Sequence, residues 1–331
     1  MVASNVKKHT RAKVSVIIPV YGVEQYIERC AISLFEQTLD DIEYIFVNDC
    51  TRDRSIEVLT SVIERYPNRK SQVKIIEMPQ NSGQAAVRKH AIQFITGEYT
   101  IHCDSDDWVE TTMYEELYKT AKDKNCDIVI CDFNIVTKDN QYHKSENIPD
   151  EKIMLLRSLL NERVHGSLCN KLIRSSLYSK ITYLPKDNLL EDLLLTIQMI
   201  ASSNNHYHLA KALYNYYQHP TSITNCIGID VSIKRGWQAY NNTRLIFGFL
   251  KENNLAEELT SEIQHLKYTT KYLLRYNCLA QGGYKKWQEV FPEIKALKII
   301  TQDFCATTKL VYLITSIGLY PMLSKIRKLL Q

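Results

Sequence analysis

Strand and helix signals alternate without a break through the first 133 residues, and this alternation restricts the chain more than any other feature. Val14-Ser15-Val16-Ile17-Ile18-Pro19-Val20 reads as a buried strand stopped by proline. A helix is expected over residues 23–37, with Ile27, Ala31, Leu34 and Phe35 on one face. Further strands are expected at 42–47, 73–78, 99–103 and 127–133, and helices at 55–66, 83–96 and 111–124. This βαβαβαβ order calls for a mostly parallel sheet flanked by helices on both faces. Such sheets bind ligands at the carboxyl ends of their strands. Asp49 and the run Asp104-Ser105-Asp106-Asp107-Trp108 both stand just past expected strand ends.

Three carboxylates within four residues repel one another, and a cation relieves that repulsion. Oxygen-only ligands suit a hard ion, Mn²⁺ or Mg²⁺, that keeps positions open for phosphate oxygens. The competing reading is a solvated acidic turn ahead of the helix near Thr111, which an isolated Asp-x-Asp would favour. Context has to decide between them.

The length of 331 residues fits one large domain and a smaller one. A balance of 41 basic against 37 acidic residues is too even for nucleic-acid binding as a bulk property. The nine cysteines form no Cys-x-x-Cys or zinc-finger spacing, as expected for reduced thiols in a cytoplasmic protein. The polar, basic start has no signal-peptide pattern, and no apolar stretch is long enough to span a bilayer.

From about residue 150 to 220 the pattern is less regular, with helices expected at 152–161 and from Glu191-Asp192 to about Ile200. Beyond Asp230 the chain reads as helical. The expected division is a flexible tail over 1–12, an α/β domain over 13–225 and a helical region over 226–331. Near the end, the apolar stretch 310–323 precedes Lys325, Arg327 and Lys328. It reads either as an interfacial anchor that gives peripheral contact with the inner face of the membrane, or as a helix packed on the preceding bundle.

Several segments, taken in order, resemble the inverting glycosyltransferases of family 2, which have the GT-A fold. They are Val14 to Tyr21, Ser33-Leu34-Phe35-Glu36-Gln37-Thr38, Asn48-Asp49-Cys50-Thr51-Arg52-Asp53, Asn81-Ser82-Gly83 with Arg88, and Asp104 to Trp108. Cys169-Asn170-Lys171-Leu172, Glu191-Asp192 and Tyr214-Asn215-Tyr216-Tyr217 through Ser222-Ile223-Thr224 follow. The resemblance covers roughly residues 13 to 225. It implies a Rossmann-like, nucleotide-sugar-binding GT-A sheet and transfer from a nucleotide-sugar, a UDP-sugar, to a glycan or lipid-linked acceptor in bacterial surface polysaccharide synthesis.

The resemblance also assigns roles. Pro19 turns the chain over the sheet edge, and Tyr21 offers a ring to the base, with ordinary packing as the alternative. Asp49 accepts the imide N–H of uracil, against a turn or helix-capping role. Glu24 reaches the ribose hydroxyls or is a plain helix-start glutamate. Arg88 pairs with diphosphate oxygens or forms a salt bridge. Asp106 is the direct metal ligand, while Asp104 and Asp107 contact the ribose or sugar or bind the metal through water. Asp192 is the base that takes the acceptor proton, its alternative being an acidic first turn that the helix dipole favours.

The chain also departs from the family pattern. Asn48-Asp49-Cys50-Thr51 replaces the usual Asp-Asp-Gly-Ser, Gly22 stands where asparagine is common, and His90 where asparagine often follows the arginine. Two rival functions are a non-catalytic nucleotide-sugar binder and a sugar nucleotidyltransferase. The second usually carries a glycine-rich basic loop after its first strand, and Pro19-Val20-Tyr21-Gly22 is not one.

Overall fold

A computed structural model describes residues 11–219 and 228–329. Residues 1–10, Ser222-Ile223-Thr224 and the boundary expected at 225 lie outside the described residues. Of the expected tail, Arg11 donates from Nε to the Thr96 carbonyl at 2.8 Å, and Ala12 accepts from the Glu98 N–H at 2.9 Å.

The described chain forms two compact units, the first from residues up to 150, 167–181 and 202–218. It opens with β1 (Val14–Val20), α1 (Ile27–Phe35), β2 (Ile42–Asn48), α2 (Ser55–Arg65), α3 (Pro67–Lys70) and β3 (Val73–Glu77). Then come α4 (Gln84–Ala91), β4 (Tyr99–His102), β5 (Trp108–Val109), α5 (Met113–Asp123), β6 (Ile128–Val136), β7 (Gln141–Lys144), β8 (Lys171–Arg174) and β9 (His206–Tyr217).

The strand order is β3-β2-β1-β4-β8-β6-β9-β5, with β7 beside β6. The first four strands are parallel, and β1, β2 and β4 are buried almost throughout, as central parallel strands are. Alternate β1 side chains enter different cores. Val16, Ile18 and Val20 pack with α1 and α2, while Ile17 joins Val87 and Ala91 of α4 on the other face. Beyond β4 the sheet is mixed rather than parallel: β8 runs antiparallel to β4 and β6, and β5 antiparallel to β9. Pro19 lies inside β1, opposite Val47, and does not stop it. Pairing with β4 ends at Ile17, so no ladder bond on that edge needs an N–H at position 19.

The second unit comprises residues 151–166, 182–201 and those from 219 onward. It contains α6 (Lys152–Leu160), most of α7 (Glu191–Ser202), α8 (Ile229–Glu252), α9 (Thr260–Leu273), α10 (Gly283–Glu289), α11 (Ala306–Ser316) and α12 (Tyr320–Leu329). The division therefore differs from a single cut near 225. Long-range bonds explain why: Arg157 of α6 pairs with Glu262 of α9 at 3.1 Å, and Asn242 of α8 donates to the carbonyls of Asp187 and Leu189 at 2.8 Å each. Tyr268, Trp287 and Tyr312 centre a core among the later helices. The apolar stretch 310–323 is not one helix, because it breaks at Gly318, which has φ +80°. Among the described residues, no helix is long and apolar enough to cross a membrane.

Candidate active site

The carboxyl ends of β2, β1 and β4 lie side by side, so the residues that follow them share one edge of the sheet. The loops after β1 and β2 are stitched together there. The Gly22 N–H donates to Thr51 Oγ1 at 2.9 Å, and the Val23 N–H to Ser55 Oγ at 3.0 Å. Gly22 takes φ +69°, a conformation that glycine and asparagine both tolerate, which accounts for their exchange at this position. Cys50 holds φ +53°, so the missing glycine changes the side chain but not the turn. Its Sγ lies 3.0 Å from the Met78 carbonyl, which accepts from it.

Asp49 is buried, and its carboxylate gathers the loop before α4. Oδ1 accepts the Ser82 N–H at 2.7 Å, and Oδ2 accepts the Gly83 N–H at 2.8 Å and Asn81 Nδ2 at 3.2 Å. It thus fixes the loop ahead of α4, more than thirty residues downstream, and Oδ1 retains a lone pair for another donor. Tyr21, half exposed, stands at the same edge.

From α4, Gln84 Nε2 and Arg88 Nη2 both donate to Asp104 Oδ1, at 3.0 and 2.9 Å. Arg88 is only 3% exposed and pairs with a carboxylate that is 31% exposed. The salt-bridge alternative for Arg88 is the arrangement seen, and it aims Asp104 from below.

The aspartate run closes as a tight turn, in which the Asp107 N–H donates to the Asp104 carbonyl at 3.1 Å. Asp106 is partly exposed. Asp107, read from the sequence as a contact to the ribose or sugar or to the metal through water, packs inward. It is 1% exposed, with Oδ2 accepting the Tyr214 hydroxyl and Oδ1 the Tyr217 N–H at 2.7 Å. Burial, reinforced by Asp106 and Asp104, pushes its pKa well above the usual carboxylate range. Both oxygens face β9, so this carboxyl positions the turn. Glu24 is also committed elsewhere: Oε2 accepts the Arg54 N–H at 3.0 Å, and its own N–H donates to Asp53 Oδ2 at 3.0 Å. That exchange fixes the start of α2, and Glu24 itself is exposed.

Asp192 opens α7 in the second unit. It is partly exposed, and its Oδ1 accepts the Leu193 N–H at 2.8 Å. The preceding Leu190 is held at φ +66°, a strained conformation for a bulky residue. The two bonds from Asn242 clamp this turn.

Four positioning residues escaped sequence reasoning. Arg29 spans the Trp108 and Tyr217 rings, at 3.7 and 4.5 Å, and donates to the Asp106 carbonyl at 3.0 Å. An exposed arginine on α1 gives no local sign of that. Tyr214 could have been found from the quoted Tyr-Asn-Tyr-Tyr segment, whereas Gln84 and Asn242 carry no sequence signal.

A parallel β1–β4 block with an aspartate turn at its carboxyl edge defines the GT-A class of glycosyltransferase. Solved structures agree on the fold: Staphylococcus aureus TarS 1–349 in complex with UDP-GlcNAc superposes with a TM-score of 0.58 at 18% identity, covering 88% of this chain and 93% of that one. The mannosyltransferase PcManGT from Pyrobaculum calidifontis, in complex with GDP-Man and Mn²⁺, gives 0.56 at 13% identity, covering 96% and 88%. The profile of Glycosyl transferase family 2 matches residues 15–182. The putative glycosyltransferase EpsH of Bacillus subtilis is 30% identical over 299 residues, covering 88% of this chain and 83% of that protein. The chain belongs to glycosyl transferase family 2 and is an inverting glycosyltransferase.

Proposed function

We propose that this enzyme transfers a sugar from a UDP-sugar to a hydroxyl of a glycan or lipid-linked saccharide. The reading is carried by one observation: Tyr21, Asp49, Asp104 and Asp106 are brought to one sheet edge from three separate loops. Tyr21 stacks on the base, and Asp49 uses its remaining acceptor capacity for the imide N–H. A guanine offers N–H groups too, and PcManGT was solved with GDP-Man, so the choice of nucleotide is part of the test.

Among the described residues, no three His, Cys, Asp or Glu side chains converge as a metal cage. Asp104 and Asp106, partly exposed oxygen donors on one turn, fit the other way of holding Mn²⁺ or Mg²⁺, through one or two carboxylates completed by substrate phosphates. Asp106 is the direct ligand in this reading. When bound, the ion supplies positive charge to the departing diphosphate.

Asp192 takes the acceptor proton. The acceptor oxygen bonds to the anomeric carbon on the face opposite the diphosphate, the bond to the diphosphate breaks, and the nucleoside diphosphate leaves. Work on surface polysaccharide in the cytoplasm follows from the family resemblance.

The test is turnover of UDP-GlcNAc, UDP-glucose, UDP-galactose and GDP-mannose with Mn²⁺. Asp192→Asn should keep nucleotide binding and lose transfer by about 10²–10⁴-fold. Asp106→Asn should weaken nucleotide binding only when the metal is present. Full transfer by Asp192→Asn removes that residue as the base. Nucleotide-sugar binding without turnover across acceptors would make the chain a non-catalytic binder.

A further inference from the structure

The end of the second unit leaves apolar side chains in water at a density found nowhere else in the described chain. Of its fourteen exposed large hydrophobic side chains, seven fall between residues 297 and 326. Each element there has a buried side and a bare apolar side. In the 3₁₀ segment Ala296–Thr301, Ile299 is buried, while Leu297 and Ile300, three residues apart and so on one edge, are 73% and 56% exposed. In α11, Val311, Tyr312 and Thr315 face the core, while Leu310 and Ile317, two turns apart, are exposed. In α12, Tyr320 is buried, while Met322 and Ile326 lie four apart on the outer side, in line with Leu319. These elements are joined: Lys309 donates from Nζ to the Ile300 carbonyl at 2.8 Å, and the Gly318 turn links α11 to α12.

Charge selects the partner. From residue 296 to 331 the one acidic residue is Asp303, paired with Arg163 at 3.0 Å, against Lys298, Lys309, Lys325, Arg327 and Lys328, a net excess of four positive charges. That excess equals the net charge of the whole chain, +4, so the remainder is electrically balanced. A protein-binding face complementary to another globular surface has no need to carry so strong an excess of one sign of charge. An interface with anionic lipid headgroups does, since each lysine or arginine near such a surface strengthens binding about fivefold and each carboxylate opposes it. Bare Leu, Ile and Met edges among cations match an element lying at the headgroup boundary rather than crossing it.

We infer that α11, α12 and the 3₁₀ segment before them form a docking face for an anionic lipid bilayer. The face works without the donor or acceptor, so its test is separate from that of the transfer reaction. Truncation from residue 308 is a poor test because it removes Val311, Tyr312 and Tyr320 from the core. Point substitutions at exposed positions are cleaner.

The full chain is sedimented with vesicles of phosphatidylcholine containing about a third phosphatidylglycerol, and with pure phosphatidylcholine, at low and high salt. Expected are binding to the anionic vesicles that weakens in salt, a loss of at least about tenfold in Ile317→Asp/Met322→Asp, and a loss of about fivefold in Lys325→Gln. Circular dichroism and donor hydrolysis in vesicle-free buffer should match the parent protein. The inference is overturned if the parent protein stays in the supernatant, if it binds both vesicle types equally, or if the double variant sediments like the parent. It is also overturned if light scattering shows a dimer that the same substitutions abolish while vesicle binding is absent, because the face is then a contact between copies of the chain.

Discussion

Tyr214→Phe removes one oxygen atom from behind the aspartate turn and leaves the ring that packs in the main core. That oxygen accepts the Asp104 N–H at 3.2 Å and donates to Asp107 Oδ2, bridging the backbone of the first aspartate to the carboxyl of the last. Tyr214 is 3% exposed, so water does not readily replace it. A buried hydrogen bond to a neutral carboxyl contributes about 0.5–1.5 kcal/mol, and the orphaned N–H adds about 1–3 kcal/mol of desolvation cost that local relaxation partly absorbs. The expected loss is about 2–3 kcal/mol. In a unit of this size that lowers the calorimetric transition by about 4–10 °C. Because the Asp104–Asp106 backbone loosens, KM for the donor in Mn²⁺ should rise roughly tenfold, while kcat changes less. A double-mutant cycle with Asp107→Asn should show coupling of at least about 1 kcal/mol, since the two side chains share the bond. A transition within 1 °C of the parent protein, about the error of the method, together with additive effects, would refute the idea that β9 holds the turn through this hydroxyl.

Three other substitutions test separate parts of the structure. Cys50→Gly should raise stability by about 0.5 kcal/mol and Cys50→Val lower it by about 2 kcal/mol, read from urea midpoints, because φ is +53° there. Lys271 is 4% exposed, with its ammonium 4.6 Å from the centre of the Trp287 ring, and burial pulls its pKa down to about 8. The unfolded value lies near 10.4, so the cost of burying the ammonium is complete below pH 8 and fades as pH rises towards 10.4. Lys271→Met should therefore stabilise the protein by about 1–2 kcal/mol at pH 7, after the lost cation–π contact is counted, and by little at pH 10.5. Arg29→Met should raise the donor KM with little change in kcat, measured by donor hydrolysis, since Arg29 touches the Asp106 carbonyl and no carboxylate in that turn.

Much of the first unit can be read directly from the chain. β1, β2 and β4 are short, mainly apolar runs divided by amphipathic segments, as strands buried on both faces require, while β3 is only partly buried. That Asp49 and Asp104 share one edge was visible because parallel strands end together. β7, β8 and β9 were not visible. β7 is exposed throughout, and β9, His206–Tyr217, mixes polar and apolar residues, so its period is blurred. The unit to which α6 and α7 belong was equally hidden, because the bonds that decide it come from Glu262 to α6 and from Asn242 to the turn before α7, over fifty residues on.

The site divides along the same line. Residue type and position along the chain were enough to establish the parallel block, the edge at its carboxyl ends, and the acidic turn upon it, because local apolar runs and turn chemistry act over a few residues. Which carboxylate does which job was decided only by tertiary structure. Asp104, Asp106 and Asp107 are chemically alike, and they differ only in what reaches them: Arg88 and Gln84 from α4 to the first, Arg29 from α1 to the backbone of the second, and Tyr214 and Tyr217 from β9 to the third. Burial and hydrogen bonding set the task of a carboxyl group, and here both are supplied by elements far away in the sequence.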